Sequence, residues 1–131
     1  MTVAVAHHDS PEGQAALNAG VDLASRLGGD LAILHVLDDD LVGDIDAARD
    51  DATERVARAL ESLGADLSPT VHIVAAGGDT AQALIDLATE SGAEMLVIGA
   101  RRRSPVGKLL MGSVVQRVIL DSPVPVLVVK P

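Results

Sequence analysis

The sequence contains no cysteine and no phenylalanine, tyrosine or tryptophan. The first absence excludes disulfides, thiolate metal centres and cysteine nucleophiles. The second removes the aromatic faces on which proteins stack bases, so a purine held here must lie between aliphatic side chains and backbone. Lysine is scarce, occurring only as Lys108 and Lys130. No run approaches the ~18 consecutive apolar residues of a membrane-spanning helix, and the N-terminus lacks a basic stretch followed by an apolar run and a cleavage site. The expectation is a cytoplasmic protein with no membrane role.

Acidic residues outnumber basic ones by 19 to 10, for a formal net charge of -9. Such a charge repels DNA, RNA and anionic lipid, which argues against general nucleic-acid binding. Much of the acid is aspartate at positions 38, 39, 40, 44, 46, 50 and 51. This distribution suggests a halophilic surface, on which salt relieves self-repulsion. At 131 residues the chain is sized for one domain, residues 1–131.

Short β-branched runs alternate with longer stretches of helical period, the pattern of a parallel sheet covered on both faces. Strand one spans Thr2 to His7. Ser10-Pro11-Glu12 then opens a helix that buries Leu17, Val21, Ala24 and Leu27 and stops at Gly28-Gly29. Strand two is Asp30 to Leu37. A second helix over about Ile45 to Leu63 places Ile45, Ala48, Ala52, Val56, Leu60 and Leu63 on one stripe and ends at Gly64. Strand three is Thr70 to Ala75, and Asp79 caps a third helix with Leu84, Ile85 and Ala88 inward. Strand four is Glu94 to Gly99. A fourth helix opens at Gly112-Ser113, with Val114 or Val115, Val118 and Ile119 inward, and leads to strand five, Val124 to Val129.

Between strand four and the fourth helix lies Ala100 to Met111, a connection of about 12 residues, near the upper end of what compact domains carry without a functional reason. Right-handed crossovers gather the loops after each strand at the carboxyl edge of the sheet. His7 to Ser10, Leu37 to Asp40 and Gly99 to Ser113 are therefore expected to be neighbours. A helix that starts at Gly112-Ser113 presents free backbone N–H groups and a hydroxyl donor, which suits a phosphate. Arg101, Arg102 and Arg103 add three consecutive cations. The loop is not a Walker A motif, because Lys108 is followed by Leu109 and Arg102 stands five residues before Gly107. No GxGxxG follows strand one.

The stretch from Val97-Ile98-Gly99-Ala100-Arg101-Arg102 through Gly112-Ser113 to Pro125-Val126-Leu127-Val128-Val129 resembles the universal stress protein family. The family pattern is Gly, two residues, Gly, nine residues, Gly, then Ser or Thr. Gly99, Gly112 and Ser113 match its spacing, and the resemblance extends over the chain, including Ser10-Pro11-Glu12 and His35-Val36. It implies an open, Rossmann-like, adenine nucleotide alpha hydrolase-like α/β sheet with strand order 3-2-1-4-5 and four helices on both faces. It also implies a stress-response or regulatory protein that binds ATP, ADP or AMP, with Mg²⁺ as a possible companion. The nucleotide-binding residues implied are Ala6, His8, Asp9, Val36, Gly99, Arg102, Gly112, Ser113 and Val114. The family further implies a homodimer through Val124 to Val129.

Two positions depart from the pattern. Arg102 replaces the second glycine, where it either obstructs the ribose-phosphate path or swings out to donate to phosphate. His8, followed by Asp9, stands where many members have an Asp that helps hold adenine. A dimeric interaction module of the same fold, without nucleotide, is the alternative function, with Arg101 to Arg103 as its recognition patch. No catalytic set is recognisable around Ser113, so at most slow ATP hydrolysis is expected. His7, His8, Asp9 and His35 read as rim residues rather than metal ligands, since adjacent strand residues face opposite ways. Asp38 to Asp40 read as a solvated turn. The acid-rich surface predicts a melting temperature that rises between dilute buffer and molar salt; an unchanged or falling value would count against salt adaptation.

Overall fold

The computed structural model describes residues 1–38, 44–101 and 112–131. The elements in chain order are β1 (Thr2–His7), α1 (Pro11–Leu27), β2 (Asp30–Leu37), α2 (Ile45–Leu63), β3 (Thr70–Ala75), α3 (Thr80–Glu90), β4 (Met95–Gly99), α4 (Ser113–Asp121) and β5 (Val126–Val129). All four strand pairings are parallel. The sheet order is β3-β2-β1-β4-β5, the expected open α/β arrangement.

Local sequence explains where the first three helices begin. Ser10 Oγ accepts from Gly13 N at 3.0 Å at the head of α1, with Pro11 in the first turn. Asp44 Oδ1 accepts from Ala47 N at 3.1 Å ahead of α2. Asp79 Oδ1 accepts from Gln82 N at 3.1 Å ahead of α3. Each cap satisfies an amide that the helix itself leaves unpaired.

Strand alternation divides the core into two layers. Val3, Val5, Leu31, Ile33 and Val97 pack with Leu17 and Val21 of α1 and with Val56 and Leu60 of α2. Ala4, Ala6, Leu34, Leu96 and Ile98 point the other way, toward Leu84 of α3 and Val115 and Val118 of α4. Small alanines on this second face of β1 keep the layer shallow at the sheet centre.

The structure corrects several boundaries and facings. β4 begins at Met95 rather than Glu94, and β5 at Val126 rather than Val124. In both cases the ladder is entered one hydrogen bond early: Glu94 N donates to Thr2 O at 2.8 Å, and Leu96 N donates to the carbonyl of Pro125, which has no N–H to return, at 2.9 Å. Ile119 is 41% exposed although Val115 and Val118 are buried, because the sheet covers only a narrow stripe of the short helix. Leu27, Ile45 and Leu63 are also exposed. They occupy helix ends, where the apolar stripe runs past the sheet.

The carboxyl end of the sheet depends on a close approach by α1. A Cβ on Gly13 would overlap the backbone carbonyl of His8, and one on Gly99 would overlap the backbone carbonyl of Glu12. Strand β4, the turn after β1 and the first turn of α1 thus meet backbone to backbone. Gly13→Ala gains about 1 kcal/mol of helix propensity and loses about 1–3 kcal/mol to overpacking against a carbonyl that has no rotamer to change. The net effect should be a lower midpoint of denaturant unfolding; a midpoint at or above that of the unmodified protein would contradict this packing.

Candidate functional site

Strand order reverses direction between β1 and β4, where the connections leave on opposite sides and open a crevice at the carboxyl edge. A cavity of about 470 Å³ lies there, within the size range of small-ligand sites. Its floor is apolar, from Ala6, Val36 and Ile98 on the face that packs against α3 and α4. Thr80 and Leu84 of α3 form one wall, and Gly112 to Val115 form another. His8, Ser10 and Glu12 line it from the β1–α1 turn, while Asp38 and Arg101 bring opposite charges to the cavity.

The start of α4 differs chemically from the other three. Among the described residues no side chain caps it, whereas Ser10, Asp44 and Asp79 cap α1, α2 and α3. Gly112 holds φ 85° and ψ 148°, a backbone that L-residues rarely adopt. Its carbonyl accepts from Gln116 N at 3.2 Å. Ser113 is solvent-exposed at the cavity wall. First-turn amides without a side-chain acceptor, a partial positive charge and a hydroxyl together suit an anion.

The structure brings Ala6, His8, Val36, Gly99, Gly112, Ser113 and Val114 to this one cavity. Asp9 is placed elsewhere: its Oδ2 accepts from Arg55 Nη2 of α2 at 3.0 Å, outside the cavity lining. The hydrogen bonds from Arg55 hold its carboxyl below the usual range. Arg102 and Arg103 lie outside the described residues, as do Asp39 and Asp40. Sequence reasoning passed over Thr80 and Leu84, although the parallel topology puts the head of α3 on the same face and edge as the end of β2.

An ion-pair clamp joins the two helices that wall the cavity. Arg117 Nη1 of α4 donates to both carboxylate oxygens of Asp79, at 3.2 and 3.1 Å, and Arg117 Nε donates to Asp121 at 3.1 Å. The amide of Gln82 and the Arg117 guanidinium both hold the Asp79 carboxyl down.

His7 and His35 are register partners on adjacent strands. Their Nδ1 atoms are 3.1 Å apart, and His35 Nδ1 is also 3.3 Å from the carbonyl oxygen of His7. A carbonyl only accepts, so His35 Nδ1 carries the hydrogen and His7 Nδ1 accepts. His7 is 7% exposed. Burial, with the His35 imidazole and then the Arg55 guanidinium, pushes its pKa down to about 4, and burial lowers His35 as well. Both are therefore neutral at neutral pH. Among the described residues no group of three His, Asp or Glu side chains gathers as a metal set, and no helix is long and apolar enough to cross a membrane.

Comparison with known proteins follows the same lines. A sequence profile described as the universal stress protein family matches residues 1–130. A universal stress protein of Mycolicibacterium smegmatis is 36% identical over 129 residues, covering 98% of this chain and 97% of that protein. The structure of a universal stress protein from Archaeoglobus fulgidus superposes with a TM-score of 0.77 at 28% identity, covering 98% of this chain and 97% of that one. A universal stress protein solved in complex with cAMP superposes with a TM-score of 0.69 at 26% identity, covering 98% and 96%.

Proposed function

The chain belongs to the universal stress protein family, and we propose that within it this protein is a cytoplasmic stress-response regulator that holds an adenine nucleotide in the cavity at the carboxyl edge. The observation that carries the reading is the start of α4: it alone among the four helices has no side-chain cap from the described residues, and it opens on the cavity. The phosphate is assigned to the amides of Ser113 and Val114 and to the Ser113 hydroxyl, with Gly112 giving the close backbone approach. The ribose is assigned to the region of Gly99. Adenine is assigned to the aliphatic floor of Ala6 and Val36, in keeping with a chain that has no aromatic side chain.

His8 supplies a polar group at the rim, and Arg101, with Arg102 beyond the described residues, supplies cationic donors for phosphate. Asp9, held by Arg55, supports the turn rather than the ligand. ATP, ADP and AMP are the candidate ligands, with Mg²⁺ accompanying the longer phosphates. A related protein solved with cAMP supports an adenine nucleotide as the class.

Calorimetry on the unmodified protein should show binding of at least one of ATP, ADP, AMP and cAMP. Gly112→Val should weaken that binding about tenfold or more, equivalent to about 1.4 kcal/mol, because valine does not tolerate the positive φ that aims the amides. No heat and no thermal shift with any of the four would remove the nucleotide reading and leave the dimeric interaction module of the same fold.

The family dimer through Val124 to Val129 is proposed here as well. β5 is an edge strand, paired in the sheet with β4 alone, and Leu127 on it is 40% exposed. Exposed apolar edge strands invite pairing with another chain. Light scattering at micromolar concentration should give twice the chain mass, and Leu127→Asp should shift it toward the monomer; a monomeric unmodified protein would overturn this assembly.

A further inference from the structure

The buried histidine pair is the titratable cluster that the ligand assignment does not use. It joins the carboxyl ends of β1 and β2; Ala6 and Val36 on these strands, His8 and Asp38 just beyond them, and His7 itself all line the cleft. We infer that the His7–His35 pair is a proton-sensitive latch on the nucleotide cleft, keeping the β1–α1 turn in its binding geometry while both imidazoles are neutral and releasing it as they become charged. The inference rests on the nucleotide reading above and adds a regulator to that site.

The hydrogen-bond roles make the pair asymmetric. A first proton can enter at His35 Nε2 and leave the bond from its Nδ1 intact. A second proton must enter at His7 Nδ1, the atom that accepts this bond, and two N–H groups would then face each other 3.1 Å apart. The doubly charged pair therefore cannot keep its native geometry.

The surroundings set the direction of the change. Arg55 of α2 and His8 of the turn oppose positive charge on both rings, while Asp51 of α2 favours it. β3 places Ile73 in register beside His35 and so offers no counter-charge there. Asp51 accepts from Arg55 Nε at 2.9 Å, and the same guanidinium holds Asp9. Charged imidazoles repel Arg55 and compete for Asp51, which loosens the grip of Arg55 on Asp9. Asp9 lies between His8 and Ser10, two residues that line the cleft. The native value of His7, about 4 against an ordinary 6.5, means that the closed latch refuses a proton that a released imidazole would take. As pH falls through this window, protons therefore favour the released form. Ligand affinity that depends on the closed form must fall with it.

Cyclic AMP is a suitable probe, because its phosphodiester keeps one negative charge across the range. Its affinity should weaken about tenfold between about pH 7.5 and 5.0. In His7→Asn, whose amide oxygen can still accept but does not titrate, the change should stay within about threefold; in His72→Asn, a histidine outside the cavity lining, the full drop should persist. Imidazole resonances of the unmodified protein give a readout independent of any variant: His7 should titrate well below 6.5, and His35 should be lowered as well. Binding that is flat with pH, a drop unchanged in His7→Asn or lost in His72→Asn, or a pair that titrates as ordinary histidines would each overturn the latch while leaving nucleotide binding intact. Failure of ATP, ADP, AMP and cAMP to bind at pH 7.5 would instead fell the underlying reading and the latch with it.

Discussion

The contact of α1 with the ends of β1 and β4 is the constraint from which the site follows. Two positions without a side chain, Gly13 and Gly99, let backbone meet backbone, and that contact fixes the turn of His8, Asp9 and Ser10 over the edge of the sheet. Were α1 held a methyl group further out, the turn could not lie beside Gly99, and the crevice between β1 and β4 would widen. The Ser10 cap and the Arg55–Asp9 pair then fasten a geometry that sterics have already chosen.

Electrostatics assigns the chemistry within that frame. Three helices consume their own amino-terminal charge through Ser10, Asp44 and Asp79. Among the described residues no side chain caps the fourth, which faces a crevice that the chain's overall acidity would otherwise make hostile to anions. In a protein with net charge -9 the proposed phosphate site has to work against the field of the whole molecule, through locally oriented amides and the Arg101 guanidinium.

Much of this was legible in the residues. Caps and stop signals such as Ser10-Pro11, Gly28, Gly64 and Asp79 act within a few residues of themselves, so helix limits could be read directly. Strand order came from the resemblance, since short apolar runs such as Val124 to Val129 are alike in composition whether central or at an edge. The chain family likewise pointed to Gly99, Gly112 and Ser113. Two features stayed hidden because they join residues far apart in sequence, the pairing of Asp9 with Arg55 and the clamp of Arg117 on Asp79; His7 and His35 could be placed at neighbouring strand ends, but not their direct hydrogen bond or the burial of His7. The exposure of Ile119 was missed for a different reason, as helical period says which residues share a face but not how far the covering sheet extends.

The Arg117 clamp is exposed, and its counter-ions compete with dissolved ions. Repulsion among the many surface aspartates is eased by the same ions. Rising ionic strength thus eases repulsion across the surface while slackening an ion-pair tie between the helices that flank the crevice, so global firmness and local stiffness respond in opposite senses to a single variable.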